Sequence, residues 1–344
     1  MVDDALIDYP PEGMSRGAWL ASVACSQALK GLPPDQREEV LLVAASNFGP
    51  AEFLERTPDG VTSAYALASG MFAEDARMVA HGIGAGRGSV SLSLSCASGN
   101  AAVAHALRLL RAGRARAVLA CGYDSIQPLT WAGLSCLRVM CLPDASGVSV
   151  VRPFDADRAG TVFSEGAGCV LLEQGDAARE RGAVPLAEVA GSAANNNAHH
   201  LTHADEEGRG TALAIEMALA DAGMEPGQVD HINAHGTGTR LNDVIESRAF
   251  RLVFGERAAL IPVVSNKGGL GHSMGAASLL ELVASVMTIR DGLIPPTVNL
   301  RTLDPECGLD VVYGESRAAP VETVLNNAAG IGGTNAAVLL RKVS

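Results

Sequence analysis

Lysine is nearly absent from this sequence. Of 26 cationic residues only Lys30, Lys267 and Lys342 are not arginine, so an interior lysine marks a place where the planar guanidinium does not serve. Aromatic residues are also scarce, at 4% of 344, and the core must be assembled mainly from aliphatic side chains, which the 48% hydrophobic content amply supplies. That content excludes a disordered chain. No apolar run approaches the ~18 residues of a membrane span. The opening MVDDALIDYPPEG has neither the basic nor the apolar segment of a secretory signal. The expected location is therefore the cytoplasm, with no membrane partner. Seven cysteines, an odd number without C-x-x-C spacing, argue against a disulfide framework and for reduced thiols, any of which is a candidate nucleophile. A net charge of −12 offers no general basic surface to nucleic acid.

What the chain does have is a regular alternation of periodicities. Helical spacing runs over residues 14–30 (Leu20, Val23, Ala24, Ala28), 99–112 (Val103, Leu107, Leu110) and 273–290 (Leu279, Val283, Val286, Met287). The second half reads as strands at 185–192, 230–234 and 261–265, each followed by a helix, at 211–222, 243–253 and 273–290. Two final strands follow at 323–328 and 336–340. The first half repeats that order from its helix onward, with strands at 40–44, 90–95, 117–121 and 168–173. The pattern predicts an α/β layered fold made of two similar halves, 1–175 and 184–344, joined by a polar segment. The first half lacks, or nearly lacks, its opening strand, residues 5–9 being the sole strand-like stretch before position 14.

Three constellations carry chemistry. In VSLSLSCASGNAAVAHALRLL, Cys96 ends an alternating run and precedes an amphipathic helix, the arrangement of a nucleophile elbow, with Gly99 permitting the tight turn. Free N–H groups opening that helix, with its dipole, would bring a thiol that ordinarily titrates near ~8.5 towards neutrality, with no histidine needed to deprotonate it. In HINAHGTGTRLNDVIE, His235 opens a Gly/Thr loop at a strand end. In VSNKGGLGHSMGAASLLEL, Lys267 precedes His272, which heads a helix whose dipole keeps its ring neutral and able to donate an N–H to a developing oxyanion. The compact ammonium of Lys267 suits a place beside a histidine and carboxylates such as Glu246.

Other features read more plainly. Cys25, Cys121, Cys136, Cys141, Cys169 and Cys307 fit small core thiols. GIGAGRG at 82–88 precedes a strand and lacks G-x-G-x-x-G spacing, so it is a turn. The histidines of AHHLTHADEEGRG at 198–210 fit a solvated loop better than a metal site.

Taken together, these segments resemble the β-ketoacyl synthase (ketosynthase) family of elongating condensing enzymes over roughly residues 14–342. The motifs are SCASG at Cys96; VRPFDADRAGTVFSEGAG at 151–168; NAHGTGT with His235, Asp243 and Glu246; SNKGGLGHSMGAA with Lys267 and His272; and NNAAGIGGTNA at 326–336. One would be weak; five in order are specific. The resemblance implies a thiolase-like fold with layers α-β-α-β-α. It implies that Cys96 takes an acyl chain from the phosphopantetheine of an acyl carrier protein, with the backbone N–H groups of Cys96 and Ile331 as oxyanion hole. His235 and His272 would polarise a malonyl thioester, whose decarboxylation yields an enolate that attacks the acyl group. Lys267 and Glu246 would order His272 and local water, Thr237 and Thr239 would meet the pantetheine arm, and Gly332 and Asn335 would line the substrate path. Neither metal nor redox cofactor is implied.

The resemblance also implies a dimer, homomeric or with another ketosynthase-like subunit, paired across the strand at 90–95. Arg108, Arg111, Arg114, Arg116 and Arg240 are candidates for docking the carrier protein, the first four equally a solvated helix face. Three motifs depart from the family: GIGG replaces the usual GFGG at Ile331, GAAS replaces GAAG at Ser278, and CGYDS stands at 121–125. In the family the missing first strand lies within its sheet, so its loss implies compensation by residues 5–9, a neighbour or a partner chain. The rival reading is a non-catalytic chain-length-factor-like subunit. Those usually lose the cysteine, and a non-decarboxylating relative would lack one histidine; this chain keeps Cys96, His235, Lys267 and His272.

Overall fold

The structure, a computed structural model, describes residues 10–11, 13–55, 70–143, 147–201 and 205–343. In chain order the elements framing the site are α1 (Arg16–Ala28), β1 (Val40–Ala45), α2 (Phe72–Ile83), β2 (Ser89–Leu92), α3 (Ser98–Arg111), β3 (Ala117–Asp124), β4 (Gly166–Glu173) and β5 (Glu188–Asn196). They continue with α4 (Arg209–Ala222), β6 (His231–Asn233), α5 (Arg240–Phe254), β7 (Pro262–Val264), α6 (Ala277–Asp291), β8 (Asp310–Val311), β9 (Thr323–Gly330) and β10 (Thr334–Arg341).

The strands form two sheets ordered β2-β1-β3-β4 and β5-β10-β9-β6-β7-β8. In the first, β1 runs parallel to β2 and β3 while β4 is antiparallel to β3. In the second, β5, β10 and β9 pair antiparallel, and β6, β7 and β8 continue parallel from β9. Between the sheets lie α3 and α6: Val103, Leu110, Leu279 and Leu282 share one buried cluster with Val43 and Val118 of the first sheet and Val324 and Val338 of the second. Each fully buried aliphatic side chain of this kind contributes ~1.5–3 kcal/mol. On the outer faces, α1 and α2 pack on the first sheet and α4 and α5 on the second. The expected α-β-α-β-α layering follows, because each helix has one apolar stripe and each sheet two faces to cover.

The central layer is drawn tight by missing side chains. A Cβ on Gly99 would lie 2.7 Å from the backbone N of Leu279, and one on Gly122 would lie 2.6 Å from the Gly275 carbonyl oxygen. Ser278, the departure in GAAS, accepts the Asn100 backbone N–H at 3.0 Å, and the Asn326 side chain donates to the Asn100 side chain and the Ser278 carbonyl, each at 2.8 Å.

Several expectations need correction. The face of α1 that is buried is Gly17, Ala18, Ala21 and Cys25, whereas Leu20, Val23, Ala24 and Ala28 are only half-buried, since small residues allow the helix to lie close on the sheet. A Cβ on Gly17 would already touch the Tyr123 ring at 3.1 Å. On α6, Met287 is 48% exposed while Glu281, Ser285 and Thr288 are buried, because this helix presents polar groups to its neighbours. The strand expected at 90–95 ends at Leu92.

The missing first strand would not leave an interior gap. The matching strand of the second half, β5, is an edge, paired with β10 alone, so the equivalent place in the first sheet lies outside β4. Among the described residues β4 is that edge; residues 5–9 lie outside them.

Candidate active site

The nucleophile turn is built from local hydrogen bonds. After β2 the chain turns through Ser95, at φ 53°, into α3. The Ser98 hydroxyl donates to the Ser95 carbonyl at 2.6 Å and accepts the Leu94 N–H at 2.8 Å. Gly330 from the β9–β10 hairpin closes over the turn so tightly that its Cβ would lie 2.9 Å from the Cys96 nitrogen. The backbone N–H of Ile331 favours the ionised form of Cys96, as the smallest of several influences on it.

The expected thiolate is corrected here. Burial pushes the Cys96 thiol up to about 11, outweighing the hydrogen bond from Ser95 and the charge of Lys267. The helix opening cannot reverse this, since the N–H groups of Ala97, Ser98 and Asn100 are taken by the Leu94 carbonyl, the Ser95 carbonyl and the Ser278 hydroxyl. Cys96 therefore rests as a thiol and must give up its proton as it reacts.

Both candidate histidines belong to the second half. His235 follows β6, and its backbone N–H donates to Glu246 at 2.6 Å, as does that of Gly236 at 2.8 Å. Asn327 donates to the same carboxyl group at 2.7 Å. Glu246 thus shapes the backbone of the His235 loop, and burial pushes it up to about 7 despite these donors.

Lys267 stands behind the ring. Its ammonium donates to the His235 carbonyl at 2.5 Å, lies 3.4 Å from His235 Nδ1 and pairs with Glu281 at 2.5 Å. Its carboxylate partner is therefore Glu281, not Glu246, and the ring it adjoins is that of His235, not His272. An ammonium has only N–H groups to offer, so Nδ1 accepts and Nε2 carries the proton. Burial also pushes Glu281 up to about 7 against the pull of Lys267.

His272 lies before α6 rather than at its head, and loop 162–164 of the first half clamps it. Its N–H donates to the Val162 carbonyl at 2.8 Å, its carbonyl accepts from the Ser164 N–H at 3.0 Å, and Phe163 stacks on its ring at 5.7 Å. The Met274 N–H donates to His272 Nδ1 at 3.3 Å, which again leaves the proton on Nε2. The two histidine rings meet edge-on, with centroids 5.4 Å apart. Burial holds both well below 6.5, with Lys267 reinforcing it, so desolvation rather than a helix dipole keeps them neutral.

One cavity of about 470 Å³ is lined by Cys96, His235, His272, Glu246, Thr237, Thr239, Ile331, Gly332 and Asn335; Lys267 stands behind its wall. Ile331 is 45% exposed at its edge. The side chain of Asn335 is engaged by Thr211, Asn195 and the Gly333 carbonyl, so it braces the hairpin. Thr237 and Thr239 hydroxyls lie 3.0 Å apart, and Thr239 also caps α5. Asp243 receives the backbone N–H groups of Phe154 and Gly238 at 2.8 and 3.2 Å, joining the 151–168 motif to the Thr loop. Arg240 lines the cavity; Arg111 is committed to Asp221 at 2.9 Å and Arg116 faces Glu180 at 3.7 Å.

Two residues escaped sequence reasoning. Glu281 is a lone acid in the apolar run SLLELVASV, a signal that could have flagged it. Asp124, in CGYDS, accepts from Ser46, Asn47, Phe48 and Gly275 and is pushed up to about 6 by burial. It ties the first sheet to the loop that carries His272. His199 and His200 are exposed, while His203 lies outside the described residues.

Comparison with known proteins agrees with this geometry. The beta-ketoacyl synthase N-terminal domain model matches residues 1–178 and the C-terminal domain model residues 186–301. The chain is 41% identical over 249 residues to the 3-oxoacyl acyl-carrier-protein synthase 2 of Synechocystis, across 72% of this chain and 60% of that protein. It is 41% identical to nodulation protein E of Rhizobium leguminosarum bv. trifolii, across 96% of this chain and 83% of that protein. Among solved structures, the ishigamide ketosynthase/chain length factor superposes with a TM-score of 0.89 at 33% identity over 98% of this chain and 84% of that one. A type II PKS acyl-carrier protein in complex with its ketosynthase bound to the hexaketide gives 0.88 at 30%, over 96% and 86%. The expected thiolase-like architecture is borne out by these neighbours.

Proposed function

Since the chain belongs to the β-ketoacyl synthase family, we propose that it is a β-ketoacyl acyl-carrier-protein synthase. It condenses an acyl group held on Cys96 with a malonyl unit on the phosphopantetheine of an acyl carrier protein. The observation that carries this reading is the convergence of one thiol and two neutral imidazoles on a single cavity.

The steps follow from the resting protonation states. The Cys96 sulfur attacks the acyl thioester, the bond from the acyl carbon to the pantetheine sulfur breaks, and the Cys96 proton passes to that departing sulfur, since Nε2 of each ring already carries a proton. The Cys96 and Ile331 N–H groups receive the developing oxyanion, each such donor being worth ~10²–10³ in rate. In the second half-reaction the Nε2–H groups of His235 and His272 donate to the malonyl thioester oxygen; CO₂ leaves, the enolate carbon attacks the acyl carbonyl, and the acyl–sulfur bond to Cys96 breaks, the sulfur taking a proton from solvent to restore the thiol. Lys267 and Glu281 position His235, and Glu246 holds its loop. Thr237 and Thr239 offer hydroxyls to the pantetheine arm. These steps call for neither metal nor redox cofactor.

We place the protein in the cytoplasm as a dimer, homomeric or with a ketosynthase-like partner, formed along the edge strand β2, and divide it at 1–175 and 184–344. No described helix is long and apolar enough to cross a membrane. Retention of Cys96 with both histidines favours the enzyme over the chain-length-factor-like subunit.

Intact-mass analysis with acyl-loaded carrier protein tests the reading. An acyl adduct is expected on wild type and on His272→Ala but not on Cys96→Ala, and the condensed product on wild type alone. An adduct persisting on Cys96→Ala, or none on wild type with any acyl chain offered, overturns it.

A further inference from the structure

Away from the cavity, three cysteines that no step above uses come together. Cys25 of α1, Cys121 of β3 and Cys169 of β4 bring their sulfur atoms within 4.8 Å of one another, and no other trio of metal-ligating side chains does so among the described residues. Cys121 and Cys169 are direct partners in the β3–β4 register, and Cys25 descends on them from the buried face of the helix. All three are free thiols.

Their mutual contacts set them apart from ordinary core cysteines, which pack against hydrocarbon. Hydrogen bonds from Cys169 and then Cys25 draw the Cys121 thiol well below its usual range, and the same bonds help push Cys25 and Cys169 up. The three sulfur atoms therefore face one another across the helix–sheet contact.

We propose that Cys25, Cys121 and Cys169 form a three-sulfur binding site for a monovalent thiophilic cation, copper(I) in its chemistry. A tetrahedral structural zinc site needs four ligands, and hard cations take oxygen; soft thiolates select copper(I). A metal–sulfur bond of about 2.3 Å places the corners of a trigonal site about 4 Å apart, so the sulfur triangle contracts by less than ~1 Å. A monovalent cation that displaces one S–H proton to solvent leaves the centre's net charge unchanged, which a buried site tolerates. Any further proton displaced from Cys25 or Cys169 passes to solvent. Cys169 is the half-buried member of the trio and, among the described residues, lies on the outermost strand of its sheet, β4. Once bound, the ion ties α1 to the sheet and raises stability by mass action. The inference is independent of the condensation chemistry.

The test uses the full chain under anaerobic conditions, titrated with copper(I) as its acetonitrile complex against the chromophoric chelator bicinchoninate. One copper per chain is expected, with three sulfur neighbours by X-ray absorption and a higher unfolding midpoint. Each of Cys25→Ala, Cys121→Ala and Cys169→Ala should lose at least ~100-fold in affinity, beyond what loss of a supporting group costs. The Cys96→Ala/Cys136→Ala/Cys141→Ala variant should keep it. Coordination by two sulfurs or by nitrogen and oxygen, affinity retained in Cys121→Ala or Cys169→Ala, or affinity lost in the Cys96/Cys136/Cys141 variant overturns the proposal. If an alanine variant fails to fold, the sulfur count on wild type decides alone.

Discussion

The four-stranded and six-stranded sheets share a plan but hold different chemistry. The first leads to a single thiol at the turn after β2. The second and its helices carry His235, Glu246, Lys267, His272 and Glu281, all buried. Desolvation acts on the two sides with opposite sign, raising the acid Cys96 and lowering the bases His235 and His272, so that all three rest uncharged. Keeping nucleophile and bases on separate sheets lets one physical effect prepare both. Reaction then depends on how closely the halves are held.

Breaking the chemical side of this contrast has the largest expected effect. Cys96→Ala should lower condensation on the order of 10⁶-fold, whereas His272→Ala should lower it about 10²–10³-fold with acyl loading intact. Radiolabelled transfer and product assays separate the two. Equal loss of loading in both would mean that the division of labour between the sheets is wrong.

Lys267→Met sharpens the electrostatic side. Wild-type activity should hold through pH 6.5 and fall only in more acid solution, because the rings must be neutral and their titration lies well below 6.5. Removing the ammonium removes one of the influences that keep protons off, so the acid limb should move upward towards 6.5. A pH–rate profile that does not move shows that burial alone sets the histidines.

The docking of the halves is tested by stability. Gly99→Ala, which forces a side chain against Leu279, should destabilise by about 1–3 kcal/mol in denaturant unfolding. Gly82→Ala, on α2 with nothing within 4 Å of the added carbon, should stabilise by about 0.4–1 kcal/mol. The same sign for both would show that the central contact is slack. Smallest of all, Arg341→Ala breaks an ion pair with Glu188 whose side chains are 47% and 49% exposed, and should change stability by no more than ~1 kcal/mol.

Much of this was legible in the residues, and unevenly so. The helix around Val103, Leu107 and Leu110 could be read because its burial follows its own periodicity, and the strand at 117–121 because its apolar run is buried throughout. α1 and α6 misled for a shared reason: their inward faces are chosen by neighbours, small against Tyr123 on one and polar beside Lys267 and Asn233 on the other. Cys96, His235 and His272 were visible through motifs. Glu281 was not, because its role is defined by a contact with a residue on another element.

Local order alone therefore settled the candidate reacting groups, the succession of strands and helices and the family to which they belong, since each of these is written in contiguous residues. Folding in three dimensions decided the protonation states, the partner of Lys267, the order of the strands within each sheet and the meeting of Cys25, Cys121 and Cys169. Those depend on water being excluded and on chain segments far apart in sequence being pressed together, and neither quantity belongs to any single stretch of the chain.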